Sequence, residues 1–534
     1  MVSYLKKQGA SFCILWSACA LFFIVCIVFP LFCTLLSPRL SDFARVFSTG
    51  RYRTVIFNTA AECICSTVLS VLLGYVYAYA VVRGEIPFVR FFSVVPVIHM
   101  VTPPFVGGLS FILLLGRQGF ITKTLLGLDV SLYGLPGIVI SQVLCFFPLA
   151  YLMCAQTLRG INPVYEHSAR GMGAGGLKVF LSVTLPLSFP GILSSFLFIA
   201  VSVLSDFGNP MIVGGRFKVL AVEIYTQLTG WMNVSVSVVL GIILVVPSIV
   251  LFILQHKILK DTSVRSATVG GKETAIRAKT PCLAVRVFLT AFCAFLSGAV
   301  LLQFAAVLAG SFQKLWGIDT RFTAEHILSV HRYGAELLDS VLFALCSAVL
   351  TTALASVTAF FVQKTDSPFR KTFDTFAQIP SAIPGSLLGL ALSFAANKTG
   401  FSFSPALIVA AMIVSFLPFS YRIITSSYLQ QKNTLVYGAQ SLGAGKITVF
   451  RSVTVPLAGS ALFSSFVYVF VRSIGTMSAV IFLVSFKTKL ASIAILNLAE
   501  QGDWGKAAAL ASVLTCIAFL MLGAGRFVLR RFFR

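Results

Sequence analysis

Charge is scarce in this sequence: 11% of its 534 residues are Asp, Glu, Lys or Arg, and only 17 are acids. About a quarter of the residues of a soluble domain are charged, so a water-exposed globular surface is excluded. The twelve cysteines form no C-x-x-C pair and sit almost all inside apolar runs, from Cys13 to Cys516. Cys63 and Cys65 stand too close together for an ordinary structural zinc pair. The cysteines read as small buried hydrophobes, and no metal site is expected. A G-x-x-x-x-G-K-[ST] phosphate loop is also missing, because the Gly-Lys pairs at Gly271, Gly445 and Gly505 are followed by Glu, Ile and Ala. The chain cannot hydrolyse ATP alone and is not expected to be an enzyme.

Apolar residues fill the space that charge vacates. They make up 57% of the chain, and the mean hydropathy is +0.94. This is the composition of an all-α integral membrane protein. Runs near the 20 or so residues that cross a bilayer occur at 11–36, 54–82, 91–115, 135–158, 187–211, 234–255, 283–310, 337–363, 374–396, 402–427, 456–484 and 505–528. The count is about twelve, with the third, fifth, ninth and eleventh interrupted by Pro, Gly or polar residues. Lys6 and Lys7 precede the first run as in a signal sequence, but the run continues to Leu36. That is too long for a signal core, so a retained helix with its amino end inside is expected.

Basic residues orient the spans. With the amino terminus inside, cytoplasmic segments hold 25 of the 41 Lys and Arg against 15 outside, and Arg472 lies within a span. This bias follows the positive-inside rule and places both termini in the cytoplasm. It also accounts for the net charge of +24 through basic loops facing anionic lipid. Without a soluble basic domain, nucleic acid is not an expected partner.

Two segments are neither span nor ordinary linker. "HSARGMGAGGLKVFLSVTLPL" begins at His167 and "YGAQSLGAGKITVFRSVTVPL" begins 270 residues later at Tyr437; ungapped, they agree at 11 of 21 positions. Residues 57–83 likewise resemble 338–364 in length, small-residue content and cationic end. The chain therefore reads as two homologous parallel six-helix units: 1–255 (core about 54–255) and 285–534 (core about 337–530). A basic cytoplasmic linker, 256–284, joins them. Both repeated segments fall on the inside. Small residues around Gly173 and Gly443 permit a sharp bend, and Pro186 and Pro456, thirteen residues after each Gly, end the motif before the next span. Val179, Phe180 and Val183, with Val449, Phe450 and Val453, have the spacing to hold a short helix-turn-helix to the spans above.

At these residues the sequence resembles the cytoplasmic "EAA" loop of permease subunits in binding-protein-dependent ABC importers. Ala169, Gly173 and Pro186 match the pattern in the first half, and Ala439, Gly443 and Pro456 match it in the second. The leading Glu is replaced by His167, with Glu166 one residue earlier, and by Tyr437. The resemblance implies that each loop docks on one member of a cytoplasmic ATPase dimer. The first contact would use Glu166, His167, Ser168, Ala169, Arg170, Gly173, Ala174 and Pro186. The second would use Tyr437, Ala439, Gln440, Gly443, Ala444 and Pro456. It further implies a bacterial cytoplasmic (inner) membrane location, an extracytoplasmic solute-binding protein as partner, and ATP consumed by the partner with no cofactor bound tightly here.

The fused twelve-span layout and "LSDFGNPMIVGGRFKVLAVEIYTQ" at 204–227 look most like the ferric-iron importers, and thiamine importers share the layout. Candidate pathway residues are Asp206, a hard oxygen ligand, Tyr75 and Tyr79 on one helix face, and Arg472, which is expected to pair with Asp206 across the halves. The rival reading is an ion-coupled secondary transporter. That machine would normally need several intramembrane carboxylates, and the candidates are Glu62, Asp206 and Asp339.

Overall fold

In the computed structural model the described residues are 10–103, 105–267, 282–365, 368–401, 404–485 and 487–532. In the first half, α1 (Phe12–Leu35), α2 (Gly50–Arg83), α3 (Val89–Val101), α4 (Phe105–Leu115) and α5 (Leu135–Gly160) lead to a short helix, α6 (Pro163–Gly171). Next come α7 (Gly176–Leu204) and α8 (Val234–Ala267). The second half opens with α9 (Leu283–Phe312) and a hairpin, β1 (Gln313–Leu315) and β2 (Asp319–Phe322). It continues with α10 (Gly334–Gln363), α11 (Arg370–Ala382), α12 (Gly385–Thr399) and α13 (Ser404–Gln430). The short helix α14 (Asn433–Ser441) precedes α15 (Lys446–Leu457), α16 (Gly459–Ile474), α17 (Ala491–Glu500) and α18 (Trp504–Phe532).

Among the described residues, and counting α4 with its continuation to Leu125, ten helices are long and apolar enough to cross a bilayer, or up to twelve if each bent pair is one span. The ninth span is bent by 110° between α11 and α12, and the eleventh by 76° between α15 and α16. The third is interrupted between α3 and α4, where Thr102 is extended ahead of Pro103. The fifth breaks at Ser205–Phe207, between α7 and a short helix over Gly208–Val213, while α7 itself passes through Pro186 and Pro190. Its turn over Phe180–Thr184 is wider than an α-helical one, with the Leu185 amide reaching the Phe180 carbonyl. A ring with no N–H is thereby accommodated one residue later. α8 stays helical to Ala267, into the stretch read as the linker, and 268–281 lie outside the described residues.

Small residues set the closest helix approaches, as they do wherever lipid supplies no hydrophobic drive between helices. Gly74 of α2 lies against Ala150 and Tyr151 of α5, where an added Cβ would collide. The opening helices of the two halves each lie against the other half. Phe12 of α1 meets Phe361 at 5.1 Å, and Trp16 meets Phe369 and Phe373 at 5.5 and 5.4 Å. In return, Ser297 of α9 hydrogen-bonds the Tyr77 hydroxyl of α2 at 2.8 Å. The Trp316 indole beyond α9 donates to the Leu113 carbonyl of α4 at 2.7 Å. The hairpin that presents Trp316 is the one sheet among the described residues, beside a single isolated bridge between Ser485 and Thr488. Its turn uses Gly317 at φ +72°, and Arg321 holds the Asp319 carboxyl down to about 2.

Candidate functional site

The paired segments fold alike. Asn162 caps α6 by accepting from the Val164 amide at 3.0 Å, with Pro163 in the first turn where no donor is needed. The helix ends in a Schellman turn: the Gly173 amide bonds the Arg170 carbonyl at 2.9 Å and the Ala174 amide bonds the Ala169 carbonyl at 3.1 Å. In the second half Gly443 reaches Gln440 at 2.9 Å and Ala444 reaches Ala439 at 3.0 Å. The two glycines adopt φ +85° and +82°. No atom lies within 4 Å of a Cβ added at either, so backbone conformation rather than space requires glycine.

The expected docking residues divide between two faces. Ser168, Gly173, Pro186, Tyr437, Gln440, Gly443 and Pro456 are exposed, and His167, Arg170, Ala174, Ala439 and Ala444 are half-buried. Ala169 and Glu166 point the other way and are buried. Glu166 therefore does not offer an outward acidic contact, since its Oε1 takes Arg83 Nε at 3.0 Å and the Thr184 hydroxyl at 3.1 Å. Two outward residues escaped sequence reasoning. Met172 is 83% exposed and Leu442 90%, one residue before each glycine. Their apolar character at the same repeat position was the signal that could have found them.

Tyr75 and Tyr79 are turned toward the first loop and the span that follows it. The Tyr75 hydroxyl shares a 2.8 Å hydrogen bond with Ser188, and Tyr79 packs edge-on against Phe180 at 5.2 Å. Their shared helix face seats the first loop, which is why both are turned toward it. Asp206 and Arg472 fail to pair as expected, with no N–O contact within 4.0 Å among the described residues. Arg472 sits beside the Tyr468 hydroxyl. Tyr468 stacks on Phe419 at 5.1 Å, and Phe419 meets Phe198 of α7 edge-on at 5.6 Å, an aromatic seam between the halves.

The Asp206 carboxylate belongs to a polar cluster inside the first half. Gln142 Nε2 donates to Glu62 Oε1 at 2.7 Å and to Asp206 Oδ2 at 3.0 Å. Ser66 donates to Gln142 Oε1 at 2.8 Å, and Asn209 Nδ2 donates to Asp206 Oδ2 at 2.9 Å. Gln142 is the member that sequence reasoning missed, as nothing in its local pattern announces partners 64 and 80 residues away. Among the described residues no group of three or more His, Cys, Asp or Glu forms a metal-ligating cluster.

Comparison with known proteins places this architecture. The family described as "binding-protein-dependent transport system inner membrane component" matches residues 69–264 and again 352–534. The chain belongs to this family. Each matched stretch of the permease contains one of the two glycine-turn loops. The permease is 28% identical over 495 residues to the ferric transport system permease protein FbpB of Actinobacillus pleuropneumoniae, covering 90% of this chain and 71% of that one. It is 26% identical over 499 residues to the putative ferric transport system permease protein FbpB 1 of Haemophilus influenzae, covering 88% and 78%. The molybdenum transport system permease protein ModB of Mycobacterium tuberculosis is 27% identical over 233 residues. That alignment takes in 88% of ModB but 43% of this permease.

Proposed function

We propose that this permease forms the translocation pathway of an ATP-driven importer for ferric iron delivered by an extracytoplasmic binding protein. The observation that carries the reading is the pair of loops built on one backbone design, each presenting an exposed apolar residue ahead of a left-handed glycine. Two like surfaces on one chain suit two like subunits of an ATPase dimer. Closure of that dimer would draw the loops together and rock the halves between inward-open and outward-open states. The iron cargo is supported by the ferric transport for which both FbpB relatives are named. The units 1–255 and 285–534, joined by the basic linker, would each supply one loop.

Reconstitution tests this reading. Stimulated ATP hydrolysis should require this permease, a separate ATPase and an iron-loaded binding protein together, and free ferric iron should stimulate little. Stimulation by a thiamine-loaded protein would change the cargo and keep the machine. Uptake by the permease alone on a proton or sodium gradient would replace the reading with that of a secondary transporter.

The proposed orientation puts both loops and both termini in the cytoplasm and makes a separate prediction. In a variant retaining only Cys282, an impermeant maleimide should leave intact cells unlabelled. Thr320→Cys in the hairpin should label readily. The reverse pattern would put the loops beyond the reach of ATP.

A further inference from the structure

The two loops share a backbone but not an attachment. In the first half Arg83, at the end of α2, sends one guanidinium nitrogen to the Leu158 and Ile161 carbonyls at 3.0 and 2.9 Å. These belong to the carboxyl end of α5, where the last carbonyls of a helix turn outward. Its Nε meets Glu166 of α6 at 3.0 Å, with both side chains buried. Thr184 of α7 closes the set on the same carboxylate oxygen at 3.1 Å. One ion pair thus ties the loop to three spans at once.

The second half lacks the acid. Val436 occupies the repeat position of Glu166, and Lys364 follows α10 as Arg83 ends α2. Lys364 reaches the Gln431 carbonyl at 3.1 Å and the Asn433 side chain at 2.9 Å. With no carboxylate to accept from it, the Thr454 hydroxyl, the counterpart of Thr184, is buried without a partner. Phe360 on Phe450 at 4.9 Å takes the place of Tyr79 on Phe180. An independent difference lies just beyond. The helix leaving the first loop runs unbroken from Gly176 to Leu204, whereas the helix leaving the second turns by 76° at Ala458.

We infer that the loops are unequal levers: Arg83 is a positioning residue that locks the first loop to its spans, while the second loop pivots at Ala458. The inference rests on the reading of the loops as ATPase contacts. Under it the same ATPase stroke moves the first half as a rigid piece and is partly taken up by bending in the second. A charge-assisted bond is about twice as strong as a neutral one; the first loop has one between a buried cation and a buried carboxylate, whereas Lys364 bonds only a carbonyl and an amide, one part-buried and one exposed.

Hydrogen exchange on the intact wild-type permease in lipid nanodiscs tests the asymmetry without any ATPase. Amides of Asn433–Ser441 should exchange about tenfold faster than those of Pro163–Gly171, as expected for the less securely tied segment. Equal rates or the reverse order would overturn the inference. With the ATPase and binding protein added, Arg83→Gln should cut cargo moved per ATP hydrolysed by about tenfold. Arg83→Lys should recover most of that ratio, and Lys364→Gln should change it by less than about twofold. Equal losses at Arg83 and Lys364 would also overturn it. Transport that needs no ATPase would instead remove the parent reading while leaving the exchange difference measurable.

Discussion

A chain carrying Gly173→Val together with Gly443→Val should insert in the membrane at normal levels and fail to transport. Both glycines hold positive φ, +85° and +82°, in a region that costs other residues about 1–2 kcal/mol and a β-branched residue more. The neighbourhood of each is open, so the valines meet no steric block and the spans pack as before. The loss falls on the Schellman turn that sets each short helix against its span. Two such bends together reduce the population with both loops in place by roughly 30-fold or more. Asparagine tolerates the left-handed region, so Gly173→Asn with Gly443→Asn should keep much of the activity. Uptake normalised to membrane-inserted protein distinguishes the two pairs. Wild-type uptake by the valine pair would mean that the bend plays no part in coupling.

The same glycines show which features a sequence displays openly. Glycine at a fixed distance from proline, twice, is a local pattern, and local patterns survive in sequence because the backbone itself demands them. The class of fold is legible for a similar reason, since a bilayer accepts only chains that satisfy their backbone internally. Interruptions are harder to read. The fifth span breaks at Ser205–Phe207, around Asp206, while Pro186 and Pro190 stay inside the helix because the wide turn at Phe180–Thr184 absorbs the nearby proline. Gly191 is there because Thr157 of α5 leaves no room for a Cβ. Side-chain direction is harder still. Glu166 stands next to the position where the resemblance expects an outward acid, but Arg83, 83 residues away, draws it inward. Tyr75 and Tyr79 lie on one face as expected, and only packing reveals that this face meets Phe180 and Ser188.

Gln142 marks where the sequence is silent and the energetics are steep. Its amide nitrogen is the shared donor to Glu62 and Asp206 at 2.7 and 3.0 Å, and its carbonyl takes the Ser66 hydroxyl. Glu62 is 3% exposed, and among the described residues it forms no ion pair within 4.0 Å. Gln142→Leu removes both donor bonds while roughly preserving volume. Leaving a buried polar group without its partner costs about 1–3 kcal/mol, so this single change should lower thermal stability in detergent and reduce the amount of folded protein. Glu62→Leu with Gln142→Leu should recover most of that loss, because removing both partners of a buried bond is far less costly than removing one. Asp206 would still accept from Asn209 at 2.9 Å in the double variant. The expected melting order is wild type, then double variant, then Gln142→Leu alone. A single variant that melts with the wild type would show that the bridge contributes nothing to holding α2, α5 and the end of α7 together.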